Sequence, residues 1–203
     1  YRLSASLSQV ALERAVARIA AKRSVGGVIV QLPLPEKFDR VQVLNRIPIP
    51  KDVDVLNGEN SSVLAPAAGA TEEILREINW KPATTHAVIM GAGLLIGRPA
   101  ATWLMGKAAT LTVLRSGSPD FSFLKKADLV VTGVGKPGFI RGDQIKKGAV
   151  VIDFGYGRVG GKVSGDADMA SCRMRAAWLT PTPGGTGPIV VAKLFENFYR
   201  LAS

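Results

Sequence analysis

The stretch that most constrains this chain is His86-Ala87-Val88-Ile89-Met90-Gly91-Ala92-Gly93-Leu94-Leu95-Ile96-Gly97-Arg98-Pro99. Ala87 to Met90 is an apolar run of strand length. Gly91-Ala92-Gly93 lets the backbone turn sharply, and Leu94 to about Gly106 is compatible with a helix. A buried parallel strand that feeds a glycine turn and a helix presents amide N–H groups to a pyrophosphate. The glycines at 91, 93 and 97 are spaced one residue wider than the usual dinucleotide fingerprint. Taken alone, the motif also fits a strand–turn–helix that merely packs tightly.

Its surroundings repeat the pattern. The spacing predicts strands at 87–90, 110–114, 128–132, 149–153 and 177–180, with helices at 95–106, near 120–126 and at 143–146. A loop at 133–138, a turn at 141–143, a hairpin-like stretch at 155–165 and a glycine-rich loop at 181–188 lie between them. An amphipathic helix at 189–201 ends the series. Alternating β and α elements imply a parallel α/β sheet. Upstream, residues 7–22 carry apolar side chains at helical spacing. Val28-Ile29-Val30-Gln31-Leu32 reads as a buried strand stopped by Pro33 and Pro35, and Phe38–Ile47 as a short helix. Residues 57–70 read as loop, and Thr71–Asn79 as a helix with Thr71 at its N-cap and Glu72 and Glu73 in its first turn. Trp80-Lys81-Pro82 reads as a linker. The expected organisation is therefore residues 1–80, 81–180 and a closing segment 181–203.

Composition narrows the chemistry. The 203 residues suit one large domain or two small ones. A net charge of +10 favours anionic partners such as a phosphorylated cofactor or a polycarboxylate. The lysines and arginines are scattered, without the basic run or aromatic interleaving of a nucleic-acid binder, so no nucleic-acid partner is expected. One cysteine, Cys172, rules out an intrachain disulfide. One histidine, His86, argues against histidine triads and multi-histidine metal sites, so no metal is expected. No apolar run reaches membrane-spanning length and no signal peptide is visible, so no membrane partner and an intracellular, cytoplasmic setting are expected.

The second predicted strand, Leu111–Leu114, ends in Arg115-Ser116-Gly117-Ser118, with no acid before Asp120. A carboxylate in that region would hold the ribose 2′-hydroxyl of NAD. An arginine with hydroxyls suits a 2′-phosphate instead, which favours NADP. An arginine simply exposed at a strand end is the alternative.

Several stretches then occur in a telling order: Gln31–Pro35 (QLPLP), Lys51–Asp54 (KDVD), Gly91–Pro99, Gly135–Ile140, Gly148–Gly155, Gly165-Asp166 and Pro181–Pro188. Together they resemble the bifunctional methylenetetrahydrofolate dehydrogenase/methenyltetrahydrofolate cyclohydrolase family from end to end of the chain. The resemblance implies a Rossmann-like NADP-binding domain, a shortened α/β folate-binding domain and a cleft between them. It implies NADP-dependent oxidation of 5,10-methylenetetrahydrofolate, hydrolysis of the product to 10-formyltetrahydrofolate, and a place in one-carbon metabolism and purine biosynthesis. A tetrahydrofolate derivative as partner and a homodimer follow from it too. It puts Gln31 near the reacting one-carbon bridge, with Val30 and Leu32 lining the site, and Asp54 on the pterin. Pro183, Gly184, Gly185, Thr186 and Gly187 would close over folate and nicotinamide. Gly91, Ala92, Gly93, Arg115, Ser116 and Tyr156 would hold NADP. From the residues alone, Asp52 and Asp54 would read as a turn acid and a cap.

The chain departs from the family at four points. Tyr1 is followed four residues on by Ala5, so the family's Tyr-x-x-x-Lys, whose lysine serves the cyclohydrolase, has no counterpart. Ala65-Pro66-Ala67-Ala68 stands for Pro-Cys-Thr-Pro, Val55 for a glycine and Gly157 for an asparagine. Three readings follow: the dehydrogenase with the cyclohydrolase in doubt, a non-catalytic NADP-binding homologue or dimerisation partner, and an NADP oxidoreductase with another substrate.

Overall fold

Ser8 opens the first helix by accepting a hydrogen bond from the Ala11 N–H in the computed structural model, which describes residues 1–57, 61–115, 117 and 120–202. Helix α1 (Gln9–Ala20) buries Leu12, Ala15, Val16 and Ala20, one stripe at helical spacing. Its C-terminal carbonyls are closed by Lys51, whose Nζ donates to Ala20 O (2.7 Å) and Lys22 O (2.9 Å). Asp39 caps the short α2 (Arg40–Leu44), and Arg46 holds the buried Glu13 of α1 at 2.6 Å. The contacts divide the chain into two units, Tyr1–Pro66 with the chain from Ala192, and Ala67–Val191.

Residues 28–32 do not form the expected buried strand. Val28 makes a single parallel bridge to Asp52, and its N–H donates to Lys51 O (2.8 Å). Ile29 and Gln31 are exposed. An apolar run becomes a strand only where neighbouring backbone pairs with it along its length, and among the described residues this run finds one partner.

Val55 adopts φ +56°. A β-branched residue in the left-handed region crowds its Cβ against its own carbonyl, at a cost of about 1–2 kcal/mol. Val55→Gly is therefore expected to stabilise the protein by about 1 kcal/mol after the added freedom of the unfolded chain is deducted. Urea denaturation tests this; a lower midpoint for the glycine variant would show that Val55 packing outweighs its strain.

In the second unit, α3 (Pro66–Glu77) begins a turn earlier than expected, with Pro66 at its first position. Thr71 is not its cap. It lies buried inside the helix and its hydroxyl donates to Ala67 O four residues back (2.8 Å). Asn79, at φ +51°, follows the helix, and the Trp80 N–H returns to Leu75 O. The remaining elements are β1 (His86–Met90), α4 (Gly97–Leu104), β2 (Thr110–Leu114), β3 (Leu129–Thr132), β4 (Val150–Asp153), the hairpin β5 (Gly157–Val159) and β6 (Lys162–Ser164), α5 (Met169–Arg173), β7 (Trp178–Leu179) and α6 (Thr186–Ala202). The expected helices near 120–126 and at 143–146 are single 3₁₀ turns, Phe121–Phe123 and Gly142–Gln144. Segments so short cannot offset the cost of helix nucleation. Helix α5, capped by Asp168, has no counterpart in the sequence reading.

Five parallel strands form one sheet in the order β2-β1-β3-β4-β7. Its two faces sort the strand residues by parity. Val88, Met90, Val130 and Val151 pack with Leu124, Ile140, Ile145 and Cys172 on one side. Ala87, Ile89, Leu129, Val131, Val150 and Ile152 pack with Leu75 of α3 and Ala100 and Leu104 of α4 on the other. Burial of both faces is why these strands read as unbroken apolar runs. The chain leaves β1 toward β2 and returns to β3 on β1's other side. The carboxyl ends of β1 and β3 therefore flank the switch point, where doubly wound sheets bind ligands.

Candidate active site

At the end of β1 the Gly91 N–H donates to Leu114 O (2.8 Å), and the Gly133 N–H reaches back to Met90 O (3.3 Å). Gly91 takes φ +95°. Gly97 is forced by packing, since a Cβ there would lie 1.7 Å from Gly91 O. Gly93 is different: it is exposed, its φ is not in the left-handed region, and a Cβ there would meet nothing within 4 Å. Nothing in the fold requires a glycine at 93, whereas a ligand backing closely onto the turn would. Ala92 O accepts the Arg98 Nε–H (3.2 Å) and Gly93 O the Arg98 N–H (3.0 Å), which fixes the turn. Arg115 is exposed at the end of β2. Ser116 lies outside the described residues.

Beyond β3 and β4 sit two buried carboxylates to which the sequence alone gives no role. Asp166 Oδ2 accepts the Thr132 hydroxyl (2.8 Å) and the Val134 N–H (2.6 Å), and Oδ1 accepts the Lys136 N–H (2.7 Å). Asp153 accepts the N–H groups of Gly155 (2.7 Å), Asp166 (3.2 Å) and Ala167 (2.8 Å). Burial pushes the Asp153 carboxyl up to about 6, against the pull of the Ala167 and Gly155 amides. A sequence signal for the pair existed. A Cβ at Gly155 would fall 2.3 Å from Asp166 Cγ, and one at Gly165 would fall 2.2 Å from Asp153 Oδ2, so each acid needs a glycine against it. Tyr156 is exposed next to this network.

The loop Pro183–Gly187 leads into α6. Pro183, Gly184 and Gly187 are exposed, whereas Thr186 is buried and its hydroxyl donates to Asp153 O (2.9 Å). His86 and Cys172 are occupied structurally. His86 Nε2 lies 3.1 Å from the Thr112 hydroxyl, and the buried Cys172 thiol, pushed up to about 11 by burial, donates to Ile140 O. No group of three or more His, Cys, Asp or Glu among the described residues could hold a metal ion. No helix among them is long and apolar enough to cross a membrane.

In the first unit the four residues of KDVD divide their work. Lys51 closes α1. Val53 is buried, and its carbonyl accepts from Asn197 Nδ2 of α6 (2.9 Å). Asp52 is the turn acid: buried, it accepts the N–H groups of Leu56 (2.7 Å) and Asn57 (2.9 Å). Asp54 is neither a turn acid nor a cap, and among the described residues no hydrogen bond or ion pair reaches its carboxylate. Desolvation first, and then the neighbouring Asp52, push it up to about 6. Val30 and Gln31 line a largely apolar cavity of about 680 Å³ with Leu12, Val16 and Phe198. Asp54 is not among its lining residues, so Gln31 and Asp54 do not share that cavity. Gln31 is exposed and its Nε2 donates to Leu32 O (2.9 Å); Leu32 is half-buried.

Comparison with known proteins identifies the family. Residues 1–54 match the family model of the tetrahydrofolate dehydrogenase/cyclohydrolase catalytic domain, and residues 65–203 match that of its NAD(P)-binding domain. The Bifunctional protein FolD of Dechloromonas aromatica is 37% identical over 98% of this chain and 73% of its own length. That of Moorella thermoacetica is 36% identical over 100% and 76%. Among solved structures, the Trypanosoma brucei N5,N10-methylenetetrahydrofolate dehydrogenase-cyclohydrolase, complexed with NADP cofactor and inhibitor, superposes with a TM-score of 0.89 at 35% identity, covering 98% of this chain and 74% of that one. The Campylobacter jejuni bifunctional enzyme FolD gives 0.91 at 32% identity, covering 100% and 76%. A parallel sheet with a glycine turn at its switch point, in a chain whose residues 1–54 and 65–203 match the two models in order, places this protein in the tetrahydrofolate dehydrogenase/cyclohydrolase family.

Proposed function

We propose that this protein oxidises 5,10-methylenetetrahydrofolate to 5,10-methenyltetrahydrofolate with NADP, and that it serves its family's second reaction, hydrolysis to 10-formyltetrahydrofolate. The observation that carries the reading is that the family's catalytic-domain and NAD(P)-binding patterns both lie in this one chain, at 1–54 and 65–203. The glycine turn fits the cofactor: Gly93 leaves its outer face open while Gly91 and Gly97 are fixed by the fold. NADP, when bound, accepts the hydride.

The chain's own residues bind and orient. Gly91, Ala92 and Gly93 hold the pyrophosphate, Arg115 and Ser116 the 2′-phosphate, and Tyr156 lies toward the cofactor's other half. Asp54 grips the pterin, whose adjacent amino and ring N–H groups suit a bidentate carboxylate left without a partner. Gln31 attends the one-carbon bridge with Val30 and Leu32, and the loop 183–187 closes over the reactants. The folate-binding part lies within residues 1–80, the NADP-binding part takes in 81–180, and the closing loop and last helix are 181–203. A cytoplasmic homodimer supplying one-carbon units to purine biosynthesis completes the reading. The lysine that the resemblance assigns to hydrolysis has no counterpart among residues 1–203, so the two activities are assayed separately.

The test is NADPH formation from 5,10-methylenetetrahydrofolate, with hydrolysis of the methenyl compound followed in parallel. NADP binding without turnover of this folate would overturn the dehydrogenase reading. Within the same assay, Arg115→Ala is expected to raise KM for NADP about tenfold or more while leaving that for NAD unchanged. Equal changes for both nucleotides would remove Arg115 from the 2′-phosphate.

A further inference from the structure

Residues 134–140 run along residues 165–168 in a way that leaves one stretch without ordinary partners. The Ile140 N–H donates to Asp166 O (2.9 Å) and the Gly138 N–H to Gly165 O (3.1 Å), around a parallel bridge between Ile140 and Ala167. Farther back the acceptor is no longer a backbone carbonyl. There the amides of Lys136 and Val134 turn to the two oxygens of the Asp166 carboxylate, at 2.7 and 2.6 Å. Alternate N–H groups at 134, 136, 138 and 140 are thus all satisfied by residues 165 and 166, the first two by a side chain standing in for a strand. Asp166 is itself held by the Thr132 hydroxyl at the end of β3 and by its own N–H on Asp153. It is fully buried.

The stretch it holds borders the dinucleotide turn. A Cβ on Gly91 would meet Val134 Cγ2 at 3.3 Å and Gly133 O at 3.6 Å. The loop after β3 therefore forms the wall of the switch point opposite β2. In a doubly wound sheet the dinucleotide crosses the crevice at this point, so one half lies over β2 and the other over the strands beyond β1. Arg115 belongs to the first half and the 133–138 loop to the second.

We propose that Asp166 is a positioning residue for the nicotinamide half of NADP: it fixes the 133–138 backbone against the Gly91 turn and touches neither cofactor nor folate. The inference rests on the NADP reading above. Its signature is asymmetry. Asp166→Asn keeps the shape but sets an NH₂ donor against one of two backbone N–H donors, leaving that amide buried and unpaired. The loop then shifts while the 2′-phosphate end stays as it was.

The experiment compares binding of NADP with that of adenosine 2′,5′-bisphosphate, which carries only the 2′-phosphate half. For Asp166→Asn the Kd of NADP is expected to rise about tenfold while that of the bisphosphate changes by less than about twofold. Thr132→Val, which leaves both amides their acceptors but removes one of the two donors to Asp166 Oδ2, is expected to show the same asymmetry at a smaller size and serves if Asp166→Asn does not fold. Equal losses for both ligands, or no loss in either folded variant, would overturn the proposal. So would fast hydrogen exchange of the Val134 and Lys136 amides in the unaltered protein, a measurement that needs no cofactor. Failure of the unaltered protein to bind either nucleotide would overturn the NADP reading instead, and the exchange of the two amides would still decide whether Asp166 holds the loop.

Discussion

Replacing Asp54 with Asn is expected to lower kcat/KM for 5,10-methylenetetrahydrofolate by about a hundredfold, through KM, while making the unliganded protein more stable at neutral pH. The two effects have one cause. The Asp54 carboxylate is desolvated and unpartnered, which pushes it up to about 6. A carboxyl raised in the folded state binds more protons there than in the unfolded chain. Its favourable contribution is complete below the ordinary carboxylate range and is lost as the pH rises through about 6. Above that the folded protein carries a penalty of roughly 1–2 kcal/mol, which the neutral amide removes. The Asn variant should therefore melt a few degrees higher at pH 7.5 and no higher at pH 4. A pterin that offers two N–H donors needs the ionised form, so KM for folate in the unaltered protein should climb as the pH falls below about 6, and Asp54→Asn should flatten that climb. A variant that loses stability at pH 7.5 and keeps its KM would show that Asp54 serves the fold and not the pterin.

The pairing of lost activity with gained stability also separates what could be read in the sequence from what could not. The strands at 86–90, 129–132 and 150–153 were legible because both faces of a parallel sheet are covered, so burial writes itself as a continuous apolar run. The same signal misled at 28–32, where an apolar run pairs through one bridge. Thr71 carried the composition of a cap, yet its hydroxyl turns back to Ala67 O inside a helix that Pro66 had already begun. The five residues of α5 are too few to show a period. At the site, the glycine turn is a local feature, and it was visible in the spacing of 91, 93 and 97. The Asp166 carboxylate binds amides 30 and 32 residues away, and no local pattern records such a partner. Asp54 is set apart from Asp52 by what does not bond to it. Only the fold shows that, and its role on the pterin still rests on the family resemblance.

The glycines of the turn carry the second large effect, because two residues of one motif should fail in opposite ways. Gly97→Ala places a methyl 1.7 Å from Gly91 O, and that obstacle is backbone already bonded into the strand end by the Gly91 N–H on Leu114 O. No rotamer change relieves such an overlap; α4 must lift off the sheet and uncover Ala100 and Leu104. The expected cost exceeds about 3 kcal/mol, enough to send most of the protein into the insoluble fraction or to lower Tm by more than about 6 °C. Gly93→Ala adds the same methyl where nothing lies within 4 Å, so stability should stay within about 0.5 kcal/mol of the parent. Its effect should be confined to the cofactor, with Kd for NADP raised about tenfold or more as the methyl occupies the face to which the pyrophosphate must approach. Thermal melts and NADP titrations on the two variants read both outcomes at once. If Gly93→Ala binds NADP as the parent does, the turn is not the pyrophosphate site and the three glycines are there for packing. If Gly97→Ala folds normally, α4 does not sit on the β1 turn at the distance described. Under the proposed function the motif's second glycine serves the cofactor and its third the fold, because a methyl at 93 meets empty space and a methyl at 97 meets the chain itself.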